Sequence, residues 1–163
     1  MGRNNNIKFV IISFLITLTI AIIGVLLAGD AMETWYPSLE TPWLNIPIWV
    51  FIPVQILYYV ICAIIIYRIL KYVMPNRQRN ISLALLLTMM ISAELWNFLF
   101  LGLRSTFAGW VGMILFTMMA IVVYAYLRRA ERNSSRIMIP YLVWLVLDNI
   151  WIFELWLANR QNG

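Results

Sequence analysis

Long apolar runs separated by short polar breaks set the plan of this chain. Residues 7–29 are apolar apart from Lys8 and small hydroxyl side chains. At ~1.5 Å per residue such a run crosses a hydrocarbon layer of ~30 Å. A cleaved signal peptide is the competing reading. The run is long for a signal core and Ala28-Gly29-Asp30-Ala31 is a mediocre cleavage site, so it is read as a helix. Four more apolar runs follow, at about 47–74, 81–103, 107–127 and 137–158. Between them lie the basic loop Pro75–Asn80, the short connection Arg104–Thr106 and the polar, basic stretch Arg128–Arg136. The pattern predicts an all-α membrane protein: a five-transmembrane-helix bundle forming a single domain over residues 1–163, without an internal repeat.

The first connection differs from the others. The stretch Thr34–Tyr59 holds three of the eight tryptophans and four of the six prolines. Pro37 and Pro42 stiffen it, Pro47 suits the first turn of the next helix, and Pro53 should bend that helix further in. A loop so rich in aromatics reads as a lid, and the helix after it as one wall of a pocket.

Composition supports the membrane reading. The chain is 63% hydrophobic and 12% charged, against about 25% charged in soluble domains, and its mean hydropathy is +0.84. The net charge is +5. Ten of the twelve basic residues fall in the N-terminal tail, the second and fourth connections, and the helix ends beside them; only Arg104 and Arg160 fall on the other side. The excess therefore reports topology rather than nucleic-acid binding. It predicts a cytoplasmic N-terminus and an outside C-terminus, with the aromatic loop outside. Cys62 is the single cysteine and histidine is absent, which excludes an internal disulfide and a Cys/His metal site. No nucleophile–base pair and no phosphate-binding glycine loop occurs.

Candidate chemistry lies at mid-membrane. Trp144, Asp148, Trp151 and Leu155 share one face of the last helix by the i, i+4, i+7, i+11 rule. Aromatic faces there could stack on a flat ring or hold a cation; the blander reading is bundle filling and interface anchoring. Glu94 and Asn97 share a stripe of the third helix, at a depth similar to Asp148. An unpaired charge at that depth costs ~2.5 kcal/mol or more. The two acids are thus expected to share a proton, or to bond Gln55, Asn97 or Asn149. The functional reading is a polar pocket for a cationic or hydrogen-bond-donating ligand, or a proton-coupled step. The plain reading is interhelical bonding worth under ~1 kcal/mol per bond.

Three blocks carry a resemblance. The first is Trp35-Tyr36, Leu39, Pro42, Pro47, Trp49-Val50-Phe51, Pro53-Val54 and Tyr59. The second is Trp96-Asn97-Phe98-Leu99-Phe100-Leu101-Gly102-Leu103-Arg104, and the third is Pro140-Tyr141-Leu142-Val143-Trp144. They are similar to the WYxxLxxP…PxWVFxPVW…Y, WSxLFFGxR and PYLxW patterns of the translocator, or tryptophan-rich sensory, protein family (TspO/MBR). The resemblance covers roughly Trp35 to Asn159. It implies five membrane helices with a ligand pocket under the first loop, a homodimer, and a prokaryotic cell membrane as the setting. Members bind porphyrins, haem-like tetrapyrroles and, in animals, sterols and synthetic drugs, and some bacterial members are linked to light-dependent porphyrin breakdown. The chain departs from the family at four places: Leu44 and Gln55 stand where tryptophan is usual, Ala93 where asparagine is, and Asp148 where a small residue is. The sterol-recognition pattern of the last helix lacks its tyrosine, since none follows Tyr141.

The leading expectation is a protein that binds a hydrophobic aromatic small molecule, such as a porphyrin or haem-like ring, a sterol or an amine, which enters beneath the loop from Asp30 to Ile46 into a pocket under it. The expected ligand contacts are Trp35, Tyr36, Leu39, Pro42, Trp43, Trp49, Phe51, Gln55, Tyr59, Glu94, Trp96, Asn97, Phe100, Trp144, Asp148 and Trp151. The alternative is a small transporter or exporter subunit working through Glu94 and Asp148. Enzymatic porphyrin photodegradation is set aside because the tryptophan implicated in it is replaced by Gln55.

Overall fold

The computed structural model describes residues 3–44 and 46–160; of residues 3, 4 and 48 only the backbone is described. The ends of the two expected tails, residues 1–2 and 161–163, and position 45 of the long loop lie outside the described residues. The chain is all-helical. In order it forms α1 (Arg3–Ala28), the short α2 (Ala31–Thr34), a 3-10 turn (Tyr36–Ser38), α3 (Ile48–Tyr72), α4 (Asn76–Asn97) prolonged by a π turn (Phe98–Gly102), α5 (Thr106–Ala130) and α6 (Arg132–Asn159). Five of these helices are long and apolar enough to cross a membrane.

The helix ends follow local rules. Gly29 adopts the left-handed conformation (φ +57°) that closes α1. Pro47 is the N-cap of α3, one residue outside the helix instead of in its first turn. α3 is one helix through Pro53, which lies in its second turn, so only the carbonyl of Trp49 loses its intrahelical donor. Ser105 caps α5 by accepting the N–H of Ala108 at 3.2 Å.

Two expected loops are shorter than their polarity suggested. Residues 76–80 belong to α4, with Pro75 as its N-cap. Of the stretch Arg128–Arg136, only Glu131 stands between helices. Its carboxylate accepts the N–H groups of Asn133 and Ser134 and the Ser134 hydroxyl. It also accepts from Nε and Nη2 of Arg68, each at 2.9 Å. A basic stretch looks like a loop in sequence, but α-helices extend beyond the hydrocarbon and their ends can carry charge.

α4, α5 and α6 pack extensively in sequence order; α3 touches α4 and α6 more lightly, and α1 lies across α3 and α4. The core is a column of side chains spaced three and four apart, such as Tyr58, Cys62, Ile65 and Ile69 on α3 and Leu86, Met90 and Ala93 on α4. α1 is the most peripheral span. Its buried polar residues, Ser13 and Thr17, satisfy themselves by donating to the carbonyls one turn back, at 2.7 and 2.9 Å.

Candidate functional site

The first loop roofs one end of the bundle. Two ties hold it there. Arg104, at the α4–α5 turn, pairs with Asp30 at 2.9 Å and donates to the Thr34 hydroxyl at 3.2 Å. Asn159, near the end of α6, exchanges two hydrogen bonds with the backbone of Glu40, at 2.9 and 3.0 Å. Pro42 is buried and Leu39 half-buried in the roof. Trp35 and Tyr36 present their rings edge-on to Phe100, at 5.5 and 6.4 Å between centroids. Burial in this packing raises the pKa of the Tyr36 phenol above its ordinary value.

Beneath the roof is a cavity of about 690 Å³. Of the expected contacts, Tyr36, Phe51, Gln55, Tyr59, Trp96, Asn97, Phe100, Trp144, Asp148 and Trp151 all border it. Phe51 lies 4.7 Å from Trp151 and 6.1 Å from Trp144, so α3 and α6 meet through rings. Trp96 stacks on Phe100 at 5.6 Å and donates its indole N–H to the carbonyl of Gly109 at 2.9 Å. Gly109 permits this approach, since a Cβ there would lie 2.7 Å from the Phe100 ring.

The polar groups divide into two sets. Glu94 is buried behind the wall, accepting from the Tyr59 hydroxyl at 2.6 Å and the Asn97 amide at 2.9 Å. It faces a shallow apolar crevice between α1 and α4 and does not border the main cavity. Asp148 accepts the Trp144 indole N–H at 3.1 Å through one oxygen. Its other oxygen, Oδ1, and the indole nitrogen of Trp151 have no partner among the described residues. The acids therefore do not share a proton; of the alternatives the sequence offered, the bond between Glu94 and Asn97 is the one formed. α5 stands between α4 and α6, and each acid has its own donors, so the adjacent acid pair on which the transporter reading drew is not formed. Asn149 is also elsewhere, donating to Thr117 and to the Leu145 carbonyl.

Some expected contacts lie outside the cavity. Trp43 and Trp49 are 83% and 68% exposed. Trp49 precedes the cavity-facing Phe51 by two residues, which puts it on the opposite side of α3. Indoles at the membrane–water level are stable facing outward. Trp35, Leu39 and Pro42 belong to the body of the roof. Conversely, the cavity is bordered by residues the sequence reading passed over: Ala21, Gly24, Val25 and Ala28 of α1, Met113 and Phe116 of α5, and Tyr141 of α6. The α1 set has helical i, i+3, i+4, i+7 spacing, a legible signal overlooked in a run treated only as a span.

A tied aromatic roof over a mostly apolar cavity, within five helices long and apolar enough to cross a membrane, defines a multi-pass membrane protein with one roofed end. The sequence profile of the TspO/MBR family matches residues 13–157, and the chain belongs to that family. It is 29% identical over 154 residues to the tryptophan-rich protein TspO of Archaeoglobus fulgidus, covering 94% of this chain and 99% of that protein. It is 23% identical over 111 residues to a protein of the same name from Chlorobaculum tepidum, covering 68% and 70% of the two chains.

Proposed function

We propose that this membrane protein binds a flat, largely apolar small molecule in the roofed cavity, with a hydrogen-bond donor of the ligand directed at Asp148. The observation that carries the reading is the cavity itself: about 690 Å³, aromatic on several sides, with one buried carboxylate oxygen and one indole N–H lacking partners. Small-molecule sites typically have volumes of about 300–1,000 Å³ and a few placed polar groups in apolar walls. Buried polar atoms without partners favour a ligand that supplies them. Porphyrin or haem-like rings, sterols and hydrophobic amines are the classes to test. Ring N–H groups and amines can donate to Asp148, and a sterol hydroxyl can donate to Asp148 while accepting from the Trp151 indole, so the titration of hits decides among the classes. Gln55 offers an amide where an indole would stack, which favours holding a ligand over photochemistry on it.

The basic ends of α3–α6 and the tail define the cytoplasmic side in this reading, with the roof outside. The test is a thermal-shift screen of the purified protein with protoporphyrin, haem, cholesterol and hydrophobic amines, followed by titration of any hit. A saturable shift that weakens in Asp148→Ala supports the reading. No shift with any class overturns it.

A further inference from the structure

The cavity wall is open on one side. Val25 of α1 and Ile52 and Ile56 of α3 border the cavity, yet they are 72%, 63% and 59% exposed. A side chain can do both only where a wall has a gap. None of the cavity-bordering residues of α4, α5 and α6 is exposed. The cause is visible on α1. Its cavity-bordering face at this level is small, with Ala21, Gly24 and Ala28, and Gly24 lies against Glu94 of α4 and Tyr59 of α3, so little side-chain bulk stands beside Ile52 and Ile56 to close the wall. Glu33, exposed, marks the upper edge of the opening.

Depth gives the gap its meaning. Val25 lies three residues before the end of α1 and Ile56 eight residues after the start of α3. At ~1.5 Å per residue the opening lies roughly 5–12 Å below the helix ends. That is the level of acyl chains in one leaflet. The way in from above is obstructed by the Arg104–Asp30 and Asn159–Glu40 ties and by buried Pro42.

We propose that the gap between α1 and α3 is a lateral portal, through which molecules dissolved in the leaflet on the roof side pass into and out of the cavity. Its apolar edges admit hydrocarbon and aromatic rings and exclude well-hydrated ions. The ligand class is therefore one that partitions into the bilayer before it binds. The purpose of the portal rests on the binding function proposed above; its existence does not.

The test uses the full chain in liposomes and a bilayer-dissolved aryl diazirine, photolysed to a carbene and mapped residue by residue by mass spectrometry. Met113, Phe116 and Tyr141 are buried and border the cavity, so lipid-dissolved reagent reaches them only through it. They are expected to be labelled in the unaltered protein. Labelling should fall several-fold in Val25→Trp and in Ile56→Trp, which plug the gap from exposed positions, and should not change in Arg104→Gln or Asn159→Ala, which release the roof. Absence of label on the three residues, label indifferent to both plugs, or label that rises when the roof is released would each overturn the portal. Labelling as expected alongside a blank thermal-shift screen would remove the binding function and leave the portal standing.

Discussion

At Gly24 the backbone of α1 comes so near α4 that a Cβ would lie 1.9 Å from Oε2 of Glu94. A glutamate tip can normally swing aside. This one is held by Tyr59 and Asn97, and moving it would strand both donors. Gly24→Ala is thus expected to cost ~1–3 kcal/mol, as overpacking does, read as a lower melting temperature in detergent; an unchanged melt would show that Glu94 moves freely. Asp148 is the residue on which ligand chemistry turns. Asp148→Ala should weaken a donor-bearing ligand by ~0.5–3 kcal/mol, the span from a neutral hydrogen bond to one with a charged group, while leaving a donor-free analogue of similar shape nearly unaffected. Equal losses for both ligands would assign Asp148 a purely structural role. Gln55 carries a third expectation. Illumination with protoporphyrin should give no protein-dependent bleaching of the kind a tryptophan-containing relative gives, and comparable bleaching by this chain would refute it.

Among the elements, the α5–α6 junction shows how a one-residue connection is stabilised. Burial alone would raise the pKa of Glu131, but bonds from Arg68 and from the Ser134 hydroxyl and amide outweigh it and hold the value at about 2. A carboxylate whose folded pKa lies below its ordinary 4.5 stabilises the fold fully above about pH 4.5 and loses that contribution as pH falls toward 2. Melting temperature should therefore be flat from pH 7 to 5 and fall below that. Glu131→Gln should begin lower at pH 7 and show a shallower acid limb; a parallel acid limb would place the titration elsewhere. The preceding break behaves similarly. Residues 76–80 looked like a basic loop because charge was read as a boundary, whereas the capping residue Pro75 marks where α4 begins.

For the whole molecule, charge and shape agree. The two helical connections rich in arginine lie at one end and the tied aromatic roof at the other, so reporters fused to the two termini should respond from opposite sides of the membrane, the N-terminal one from the cytoplasm. Both reporters on one side would refute the topology. The bundle packs extensively along α4–α5 and α5–α6, and α1 packs closely on α3 over part of its length while exposed residues of both helices border the cavity near the roof. This asymmetry allows a cavity to be roofed and still reachable from lipid.

Hydrophobic run length alone determined five membrane helices, because a bilayer demands about twenty apolar residues whatever the packing. Helical spacing and the motif resemblance together marked nine cavity residues along α3, α4 with its π turn, and α6, with Tyr36 added from the first loop. Only the tertiary structure decided which acid faces the cavity. Glu94 and Asp148 are at similar depth in sequence, but the rotation of α4 turns Glu94 toward α1, and helix rotation is set by neighbours. For the same reason Trp49 turned outward, and the small face of α1 became an opening only once α3 was placed beside it.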